Sequence, residues 1–209
     1  MNEDIEFTLV IDDDRRYIHD FSADMDYPDS DEDEMNTVRI SIEADTAIIA
    51  YMELHIFYEY KIDDLVMFAD EISQDIYDAM IELDENGLLE SSERDDDSLN
   101  DIFDAFGVVV YLHYLAVRDD FRNQGIGDWL LRNLHRVLSR NYGVDPRLII
   151  TCISPQNISW GKSQPSFSAP DGCAAIVKSM HKQMEKLFVK NGYERLGSGN
   201  HYIKKSSSR

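Results

Sequence analysis

The chain alternates between two hydrophobic periods, which predict strands in some segments and helices in others. Residues 37–43 alternate apolar with polar side chains, which is typical of a strand buried on one face. Residues 108–117 are mainly apolar on both faces, as expected of a central strand that is covered on both sides. The predicted strands cover residues 5–11, 37–43, 46–58, 108–117 and 147–153, and a short strand or hairpin within 193–204.

Three segments instead place apolar residues three and four positions apart, which predicts amphipathic helices. The first has an acidic outer face and ends at Asn86-Gly87. Trp129 and Ile176 count among the inward side chains of the second and third. The three predicted helices cover residues 63–85, 126–140 and 176–190.

The order of these elements predicts an α/β fold, more specifically an α+β mixed sheet. The second half reads strand, helix, strand, helix, strand, which favours parallel pairing at its centre, and the first half adds antiparallel strands. The sequence contains no clean linker, so we predict a single domain over residues 1–209. Predicted loops cover the acidic segments 12–36 and 88–104 and the Ser-, Pro- and Gly-rich segment 154–172, and residues 205–209 form a short disordered tail.

The composition is that of a folded protein without a secretion signal. Hydrophobic residues make up 43% of the chain, which is enough apolar material for a core and argues against global disorder. The N-terminus lacks the basic and apolar regions of a signal peptide, and no apolar run approaches the roughly 20 residues that span a bilayer. Two cysteines are too few for a disulfide framework. We therefore expect a cytoplasmic protein that does not bind membranes.

The charge is divided unevenly between the two halves of the chain. The net charge is −21, from 41 acidic and 20 basic residues. Residues 1–104 hold 34 of the acids and five of the bases, whereas residues 105–209 hold seven acids and 15 bases. Since one half repels anions and the other attracts them, we expect two partners of opposite charge. Nucleic acid is not an expected partner, because its phosphates would meet a strongly negative protein.

A loop with two glycines joins the predicted central strand to the next helix. The N-terminus of a helix binds anions through its free N–H groups, and glycines allow several N–H groups to converge on one phosphate. No Lys-Ser/Thr follows the glycines, and Asp128 replaces the third glycine, which excludes the Walker and dinucleotide-binding motifs. The loop is therefore a candidate pyrophosphate site, with Arg118 adding positive charge. Its sequence is Arg122-Asn123-Gln124-Gly125-Ile126-Gly127.

This loop and the strand before it resemble the acetyl-CoA motif of the GNAT superfamily of N-acetyltransferases. The resemblance covers residues 115–127, with the sequence Leu-Ala-Val-Arg-Asp-Asp-Phe-Arg-Asn-Gln-Gly-Ile-Gly. Residues 187–193, Leu-Phe-Val-Lys-Asn-Gly-Tyr, resemble the end of the C-terminal helix of the family. Taken together, the similarity extends over about residues 108–204.

The resemblance implies a fold, a cofactor and a set of cofactor-binding residues. The implied fold is the GNAT-like acyl-CoA N-acyltransferase fold, a central, splayed, mostly antiparallel sheet flanked by helices. Pantetheine would lie in the splay and hydrogen-bond the backbone of Leu115, Ala116 and Val117. The resemblance implies no metal. The residues implied for the pyrophosphate of acetyl-CoA are Arg122, Asn123, Gln124, Gly125, Ile126 and Gly127.

The resemblance also implies direct attack of an amine on the thioester, which requires a base for the ammonium group. His113 is the candidate base, because imidazoles titrate near neutrality. It precedes Leu115 by two residues, so the alternation of a strand predicts both side chains on one face. Residues 111–117 resemble the corresponding strand of serotonin N-acetyltransferase, in which a histidine at the matching place is catalytic. The alternative is a core histidine with a satisfied hydrogen bond.

The sequence offers several candidate proton donors for the leaving thiolate. Phe188 stands where many family members have a tyrosine, and a phenylalanine cannot donate a proton. Tyr111 is a candidate donor, with Tyr114 and Tyr193 as alternatives, unless the thiolate leaves unaided. His181 stands where the family often has an asparagine, and it either contacts the cofactor or lies at the surface.

The acidic first half bears on the acceptor, because the resemblance places the approach of the acceptor on the side built by the N-terminal elements. An acidic field attracts a cationic amine, and polyamines, aminoglycosides and protein lysines all fit. Glu53 is a candidate contact. We therefore predict transfer of an acetyl group from acetyl-CoA to a cationic primary amine in a ternary complex. The alternatives are a catalytically degenerate CoA-binding protein and an acidic partner-binding protein. The sequence is also compatible with an oligomer.

Overall fold

A computed structural model describes residues 8–14, 35–44, 47–59, 62, 64–89, 107–161, 165–169 and 174–206. Within these residues the strands are β1 (Thr8–Asp14), β2 (Met35–Ala44), β3 (Ala47–Tyr58), β4 (Val108–Val117), β5 (Leu148–Cys152), β6 (Asn157–Trp160), β7 (Pro165–Ser168), β8 (Glu194–Arg195) and β9 (His201–Lys205). The α-helices are α1 (Leu65–Ile72), α2 (Gln74–Glu85), α3 (Ile126–Tyr142) and α4 (Ala174–Lys190).

Seven of these strands form one mixed sheet in the order β1-β2-β3-β4-β5-β9-β8. Strands β4 and β5 run parallel, and every other neighbouring pair is antiparallel. Parallel strands need a crossover, and α3 provides it between β4 and β5. The predicted α+β mixed sheet is therefore confirmed. The first strand begins at Thr8 and extends to Asp14, so it runs three residues past the predicted end.

The single helix predicted over residues 63–85 is two helices. Ser73 lies between them in extended conformation, with φ −166° and ψ 153°. Its hydroxyl accepts a hydrogen bond from the backbone N–H of Ile76 at 3.3 Å, so it caps the start of α2. Hydrophobic spacing continues across this break, because both helices bury the same side. The periodicity alone therefore did not reveal the cap.

The helices cover both faces of the sheet and divide the core into two clusters. Helices α1 and α2 pack on the face that carries Phe57, Val109 and Tyr111. Helices α3 and α4 pack on the opposite face, which carries Leu54 and Val110. Alternate residues of β4 thus contribute to different clusters, as predicted for a central strand covered on both sides.

The prediction that Trp129 and Ile176 point inward is wrong. Trp129 of α3 is 46% exposed, and Ile176 of α4 is 56% exposed. Each lies in the first turn of its helix, and Trp129 stands between the buried residues Asp128 and Leu130. Apolar spacing therefore did not separate these two side chains from the buried stripe.

Charge is segregated between the two faces of the sheet. Helices α1 and α2 carry seven Asp and Glu and no Lys or Arg. Helices α3 and α4 carry seven Lys and Arg and only Asp128 and Glu185 as acids. The division by sequence half therefore becomes a division in space, with one acidic and one basic face.

Part of the predicted loop over residues 154–172 is a two-stranded antiparallel sheet, formed by β6 and β7. The predicted acidic loops over 12–36 and 88–104 fall mostly outside the described residues, and so does most of the predicted tail over 205–209. Lys205 itself belongs to β9. Among the described helices, none has the length and apolarity that a membrane crossing requires.

Truncation of a buried side chain of α3 is expected to destabilise the fold strongly. Leu134 is 1% exposed and packs in the core between α3 and the sheet. We expect Leu134→Ala to lower the free energy of unfolding by about 2–5 kcal/mol, because it removes buried contacts and leaves a cavity. Urea denaturation measures the loss. The control Arg136→Ala, on the exposed side of the same helix, should change stability by less than about 0.5 kcal/mol. Equal losses would contradict this packing.

Candidate active site

The loop between β4 and α3 turns through two residues in left-handed conformation. Asn123 has φ 62° and Gly125 has φ 84°. The loop is tied to the end of β4, because Arg122 Nε donates a hydrogen bond to the Val117 carbonyl at 3.1 Å. The helical bond from Trp129 N to the Gly125 carbonyl, 2.9 Å long, marks the start of α3. The N–H groups before Trp129 lack an α-helical acceptor and are available to an anion.

Helix α3 packs closely at its first turn. A Cβ on Gly127 would lie 3.4 Å from Leu187 Cδ2 and 3.7 Å from Val117 Cγ2, which are ordinary van der Waals contacts with α4 and the end of β4. Asp128 accepts a hydrogen bond from Asn191 Nδ2 at 3.0 Å, which links the start of α3 to the end of α4. Of the loop residues, Arg122, Asn123, Gln124 and Gly125 are exposed, Ile126 is half-buried and Gly127 is buried.

Strand β4 has unpaired backbone groups just before this loop. It pairs with β5 only over Val109 to Leu112, whereas its pairing with β3 continues to Val117. Within the described sheet, residues 113–117 therefore have no strand on their β5 side. Such an edge can bind an extended molecule through backbone hydrogen bonds. The edge includes Leu115, Ala116 and Val117, the residues that the resemblance implies for pantetheine.

A cleft of about 450 Å³ lies beside the glycine loop. Arg118 and Arg122 line it together with Asp119 and Asp120, and Ile158, Trp160 and Met180 contribute apolar surface. The arginines are paired with these aspartates, Arg118 with Asp120 at 3.2 Å and Arg122 with Asp119 at 2.7 Å. Its volume is within the range of pockets that bind small molecules. The cleft therefore joins a turn of paired charges to a wall formed by β6 and α4.

His113 does not share a face with Leu115, so that prediction is wrong. Strand β4 contains a β-bulge opposite Glu53 and Leu54, and His113 has no partner in the register of β3. A bulge adds one residue and reverses the alternation beyond it. Leu115 consequently packs with the α3 side of the core. His113 instead lies near Tyr111, with ring centroids 5.7 Å apart.

The bulge brings His113 to a cluster formed by two residues of β3. His113 Nδ1 lies 3.5 Å from Glu53 Oε1 and 3.3 Å from His55 Nε2. Each partner has a further contact on its other side. Tyr51 and Arg39 donate hydrogen bonds to Glu53 Oε2, at 2.6 and 3.0 Å. Thr37 Oγ1 lies 3.1 Å from His55 Nδ1. The cluster thus orients Glu53 Oε1 and His55 Nε2 toward His113.

The surroundings determine the charge of the two β3 residues. Burial acts to raise the pKa of Glu53, but hydrogen bonds from His113, Tyr51 and Arg39 outweigh it and lower the pKa to about 2. Burial, with a smaller contribution from His113, lowers the pKa of His55 to about 4. Near neutral pH, Glu53 is therefore a carboxylate and His55 is neutral.

Two tyrosines of β4 lie beside His113. Tyr111 is buried, and burial raises its pKa, helped by the charges of Asp75 and Asp78 on α2. Tyr114 is half-buried, and its ring stacks on His113 at 3.8 Å and on Phe167 at 3.9 Å. Burial also raises the pKa of Tyr114. Both tyrosines therefore stay protonated near neutral pH.

Phe188 and Tyr193 lie farther along the chain, at the end of α4. Both are buried, and their rings meet edge to face at 5.1 Å. The Tyr193 hydroxyl and His181 Nε2 are buried and have no hydrogen-bond partner among the described residues. His181 is therefore half-buried and not a plain surface residue.

The family model of the acetyltransferase (GNAT) family matches residues 87–161, which contain β4, the glycine loop, α3 and β5. The chain is therefore similar to the GNAT acetyltransferase family over residues 87–161. The matched segment covers about a third of the chain. GNAT enzymes use acetyl-CoA as their acyl donor. The pyrophosphate of that donor is the kind of anion that the free N–H groups of the loop can bind. No curated protein matches the chain in sequence.

Several solved structures resemble this chain at low identity. An apo mutant of agmatine N-acetyltransferase is 10% identical, with a TM-score of 0.42 and coverage of 80% of this chain and 74% of that one. The Drosophila melanogaster polyamine N-acetyltransferase, which catalyses the formation of N-acetylagmatine, is 11% identical, with the same TM-score and coverage. The KacTA–DNA complex is 9% identical, with a TM-score of 0.37 and coverage of 83% and 69%. These similarities are too distant to carry an argument about substrate or partner.

The sequence does not predict the partners of His113. It indicates Glu53 only as a contact for the acceptor, and it assigns no role to His55. Their spacing contained a signal, since residues two apart on a strand share a face. The pattern Glu53-Leu54-His55 thus predicts two polar side chains on one side of β3. The histidine that completes the cluster is 58 residues further along the chain, and only strand pairing brings it there.

Proposed function

We propose that this protein is an N-acetyltransferase that transfers an acetyl group from acetyl-CoA to a cationic primary amine. The observation that carries the proposal is the position of two features on one strand. The backbone edge and glycine loop lie at the C-terminal end of β4, and the cluster around His113 lies at the bulge of the same strand. A thioester held along this edge would lie close to a base.

The cofactor would extend from the glycine loop along β4. Its pyrophosphate would meet the N–H groups between Asn123 and Gly127, at the positive end of α3. Its pantetheine would pair with the backbone of Leu115, Ala116 and Val117 in place of a strand. The basic α3 and α4 face provides further attraction for the anionic cofactor.

The chemical step is direct attack in a ternary complex. The amine nitrogen would form a bond to the thioester carbon while the carbon–sulfur bond breaks, and the coenzyme A thiolate would leave. His113 Nδ1 faces Glu53 and His55, so its Nε2 is the atom that would accept the amine proton. The Glu53 carboxylate would then stabilise the imidazolium, as a carboxylate does beside other catalytic histidines.

The thiolate requires a proton from another group or from water. Tyr111 and Tyr114 are the proposed donors, because both lie beside His113 and stay protonated near neutral pH. Tyr114 is the more exposed of the two, whereas Tyr111 is 1% exposed. Phe188 is buried and has no proton to give.

The acidic face supports a cationic acceptor. The cluster lies on the same face of the sheet as Tyr111, against which α1 and α2 pack. These helices have a strong excess of negative charge. Asp75 and Asp78 are near enough to raise the pKa of Tyr111. An amine with two or more positive charges would therefore be drawn to the site more strongly than a neutral one.

A panel of amines tests the proposed function and its substrate class. We expect a polyamine to be acetylated with a kcat/KM about tenfold or more above that of a neutral primary amine of equal length. The advantage should shrink between low salt and about 0.5 M salt, because mobile ions screen exposed charges. Release of free coenzyme A, followed with a thiol reagent, measures the rate. A preference for neutral amines, or no effect of salt, would contradict a cationic acceptor.

One observation favours a second function. Phe188 removes the proton donor that many GNAT enzymes have at this place, which is compatible with a CoA-binding protein that has lost turnover. Tight binding of acetyl-CoA without acetylation of any amine in the panel would support this alternative. An acidic partner-binding protein would show neither acetyl-CoA binding nor turnover.

A further inference from the structure

We infer that Glu53, His55 and His113 form a binding site for a divalent transition-metal ion, with Zn²⁺ as the best fit, and that the bound ion inhibits acetyl transfer. The binding itself is independent of the proposed function. The inhibition rests on it, because it requires His113 to act as the base.

The distances within the cluster suit a tetrahedral ion. Zinc binds imidazole nitrogen and carboxylate oxygen at about 2.0–2.2 Å in tetrahedral sites, so neighbouring ligand atoms lie about 3.3–3.5 Å apart. His55 Nε2 and His113 Nδ1 are separated by 3.3 Å, and His113 Nδ1 and Glu53 Oε1 by 3.5 Å. All three ligand atoms lie within 4.8 Å of one another. The separation between Glu53 and His55 is therefore at most 4.8 Å, close enough for three-point binding after a small movement of the side chains.

The contacts around the cluster leave one donor atom of each β3 residue directed inward. Thr37 lies against His55 Nδ1, so Nε2 is the nitrogen that faces His113. Tyr51 and Arg39 hold Glu53 Oε2, so Oε1 is the oxygen that faces His113. Metal-binding histidines and carboxylates are typically oriented by hydrogen bonds of this kind.

The chemistry of the donors favours zinc and similar ions over magnesium and calcium. Two imidazoles suit zinc, copper, nickel and iron, whereas magnesium and calcium prefer oxygen ligands. The cluster offers a single carboxylate, and it is half-buried. Zinc should therefore bind here even when magnesium occupies the exposed acidic groups.

Metal binding and base catalysis exclude each other at His113. An ion on Nδ1 displaces the proton from that nitrogen, and the remaining ring proton then resides on Nε2. His113 consequently has no lone pair to accept a proton from the amine. The charge of the ion also repels a cationic acceptor. Inhibition is therefore the expected result of occupancy.

The test is a titration of the full-length protein after treatment with a chelator and removal of the chelator. Zinc is added in the presence of excess magnesium, and calorimetry measures the affinity and the number of ions bound. Cobalt is added separately, because tetrahedral cobalt absorbs visible light strongly. We expect one ion per chain, with an affinity in the micromolar range or tighter, and a tetrahedral cobalt spectrum.

Three variants locate the ion. Glu53→Gln and His55→Gln should each weaken zinc binding about tenfold or more, and each should weaken the cobalt spectrum. His135→Gln is the matched control, because His135 forms an exposed pair with Asp145 at 2.6 Å on α3. It should leave zinc binding unchanged. Circular dichroism checks that each variant folds.

The outcomes separate this inference from the proposed function. No binding to the folded protein, or binding that both cluster variants leave intact, would overturn the metal site whatever the activity. Binding at the cluster by a protein that acetylates no amine would support the site and count against the proposed function. Zinc that binds at the cluster of an active enzyme without inhibiting it would overturn the inhibition.

Discussion

Replacing His113 with glutamine is expected to lower kcat by about 10²-fold or more, since a general base contributes roughly 10²–10⁴-fold to rate. Glutamine keeps the size and polarity of the side chain but has no nitrogen that accepts a proton at neutral pH. His113 lies outside residues 115–117, whose backbone is proposed to bind the cofactor, and it has no partner in the register of β3. Binding of acetyl-CoA should therefore be preserved.

Steady-state rates at saturating acetyl-CoA measure this loss, with a chelator present so that no metal ion occupies the cluster. The matched control is His135→Gln on α3, which removes an exposed imidazole far from β4 in the sequence and should keep full turnover. Unchanged turnover in a folded His113→Gln protein would remove His113 from the mechanism. Equal losses in both variants would point to a general effect on the fold.

Replacing Gly125 with glutamate is expected to weaken acetyl-CoA binding about 100-fold or more. A like charge brought against the pyrophosphate costs several kcal/mol, and each 1.4 kcal/mol is about tenfold in affinity. The site offers space, because a Cβ at Gly125 would meet no atom within 4 Å. A clash between a Cβ at position 125 and the rest of the protein is therefore excluded as the cause of weaker binding.

The backbone strain of this substitution needs its own control. Gly125 has φ 84°, and a non-glycine residue in that region costs about 1–2 kcal/mol. Gly143, at the other end of α3, has φ 66° and equally open surroundings. Gly143→Glu should therefore lose similar stability but keep its affinity for acetyl-CoA. Calorimetric titration measures both variants. If Gly125→Glu and Gly143→Glu bound acetyl-CoA with equal affinity, the glycine loop would not be the pyrophosphate site.

Together, the two substitutions distinguish the three functions under consideration. An acetyltransferase loses turnover with His113→Gln and cofactor binding with Gly125→Glu. A degenerate CoA-binding protein shows only the second effect. A protein that uses its acidic surface to bind a partner shows neither, because it has no cofactor to lose.

The segment from β4 to α3 was predicted well because its signals are local. A buried strand, two glycines and an amphipathic helix follow one another directly, and the observed bounds of β4 match the predicted strand over 108–117. The left-handed conformation of Gly125 also follows from the chemistry of the residue itself. The cap at Ser73 is local as well, but the continuing apolar spacing concealed it.

The bulge at His113, in contrast, has no local signal in the sequence. Its existence depends on how β3 and β4 pair, and nothing in the spacing of β4 alone marks the extra residue. The prediction that His113 and Leu115 share a face failed for this reason. The same pairing brings His113 to Glu53 and His55, which belong to a strand that ends about 50 residues earlier.

By itself, the sequence determined most of the elements, the glycine loop and the imbalance of charge, because periodicity, glycine conformation and composition are properties of a continuous segment. Tertiary structure decided which face each charge occupies and which side chains surround His113. Those features depend on strand order and register, which arise from packing between segments far apart in the chain. The candidate cofactor loop can therefore be predicted from the sequence, whereas the surroundings of the candidate base and the candidate metal site form only in the folded protein.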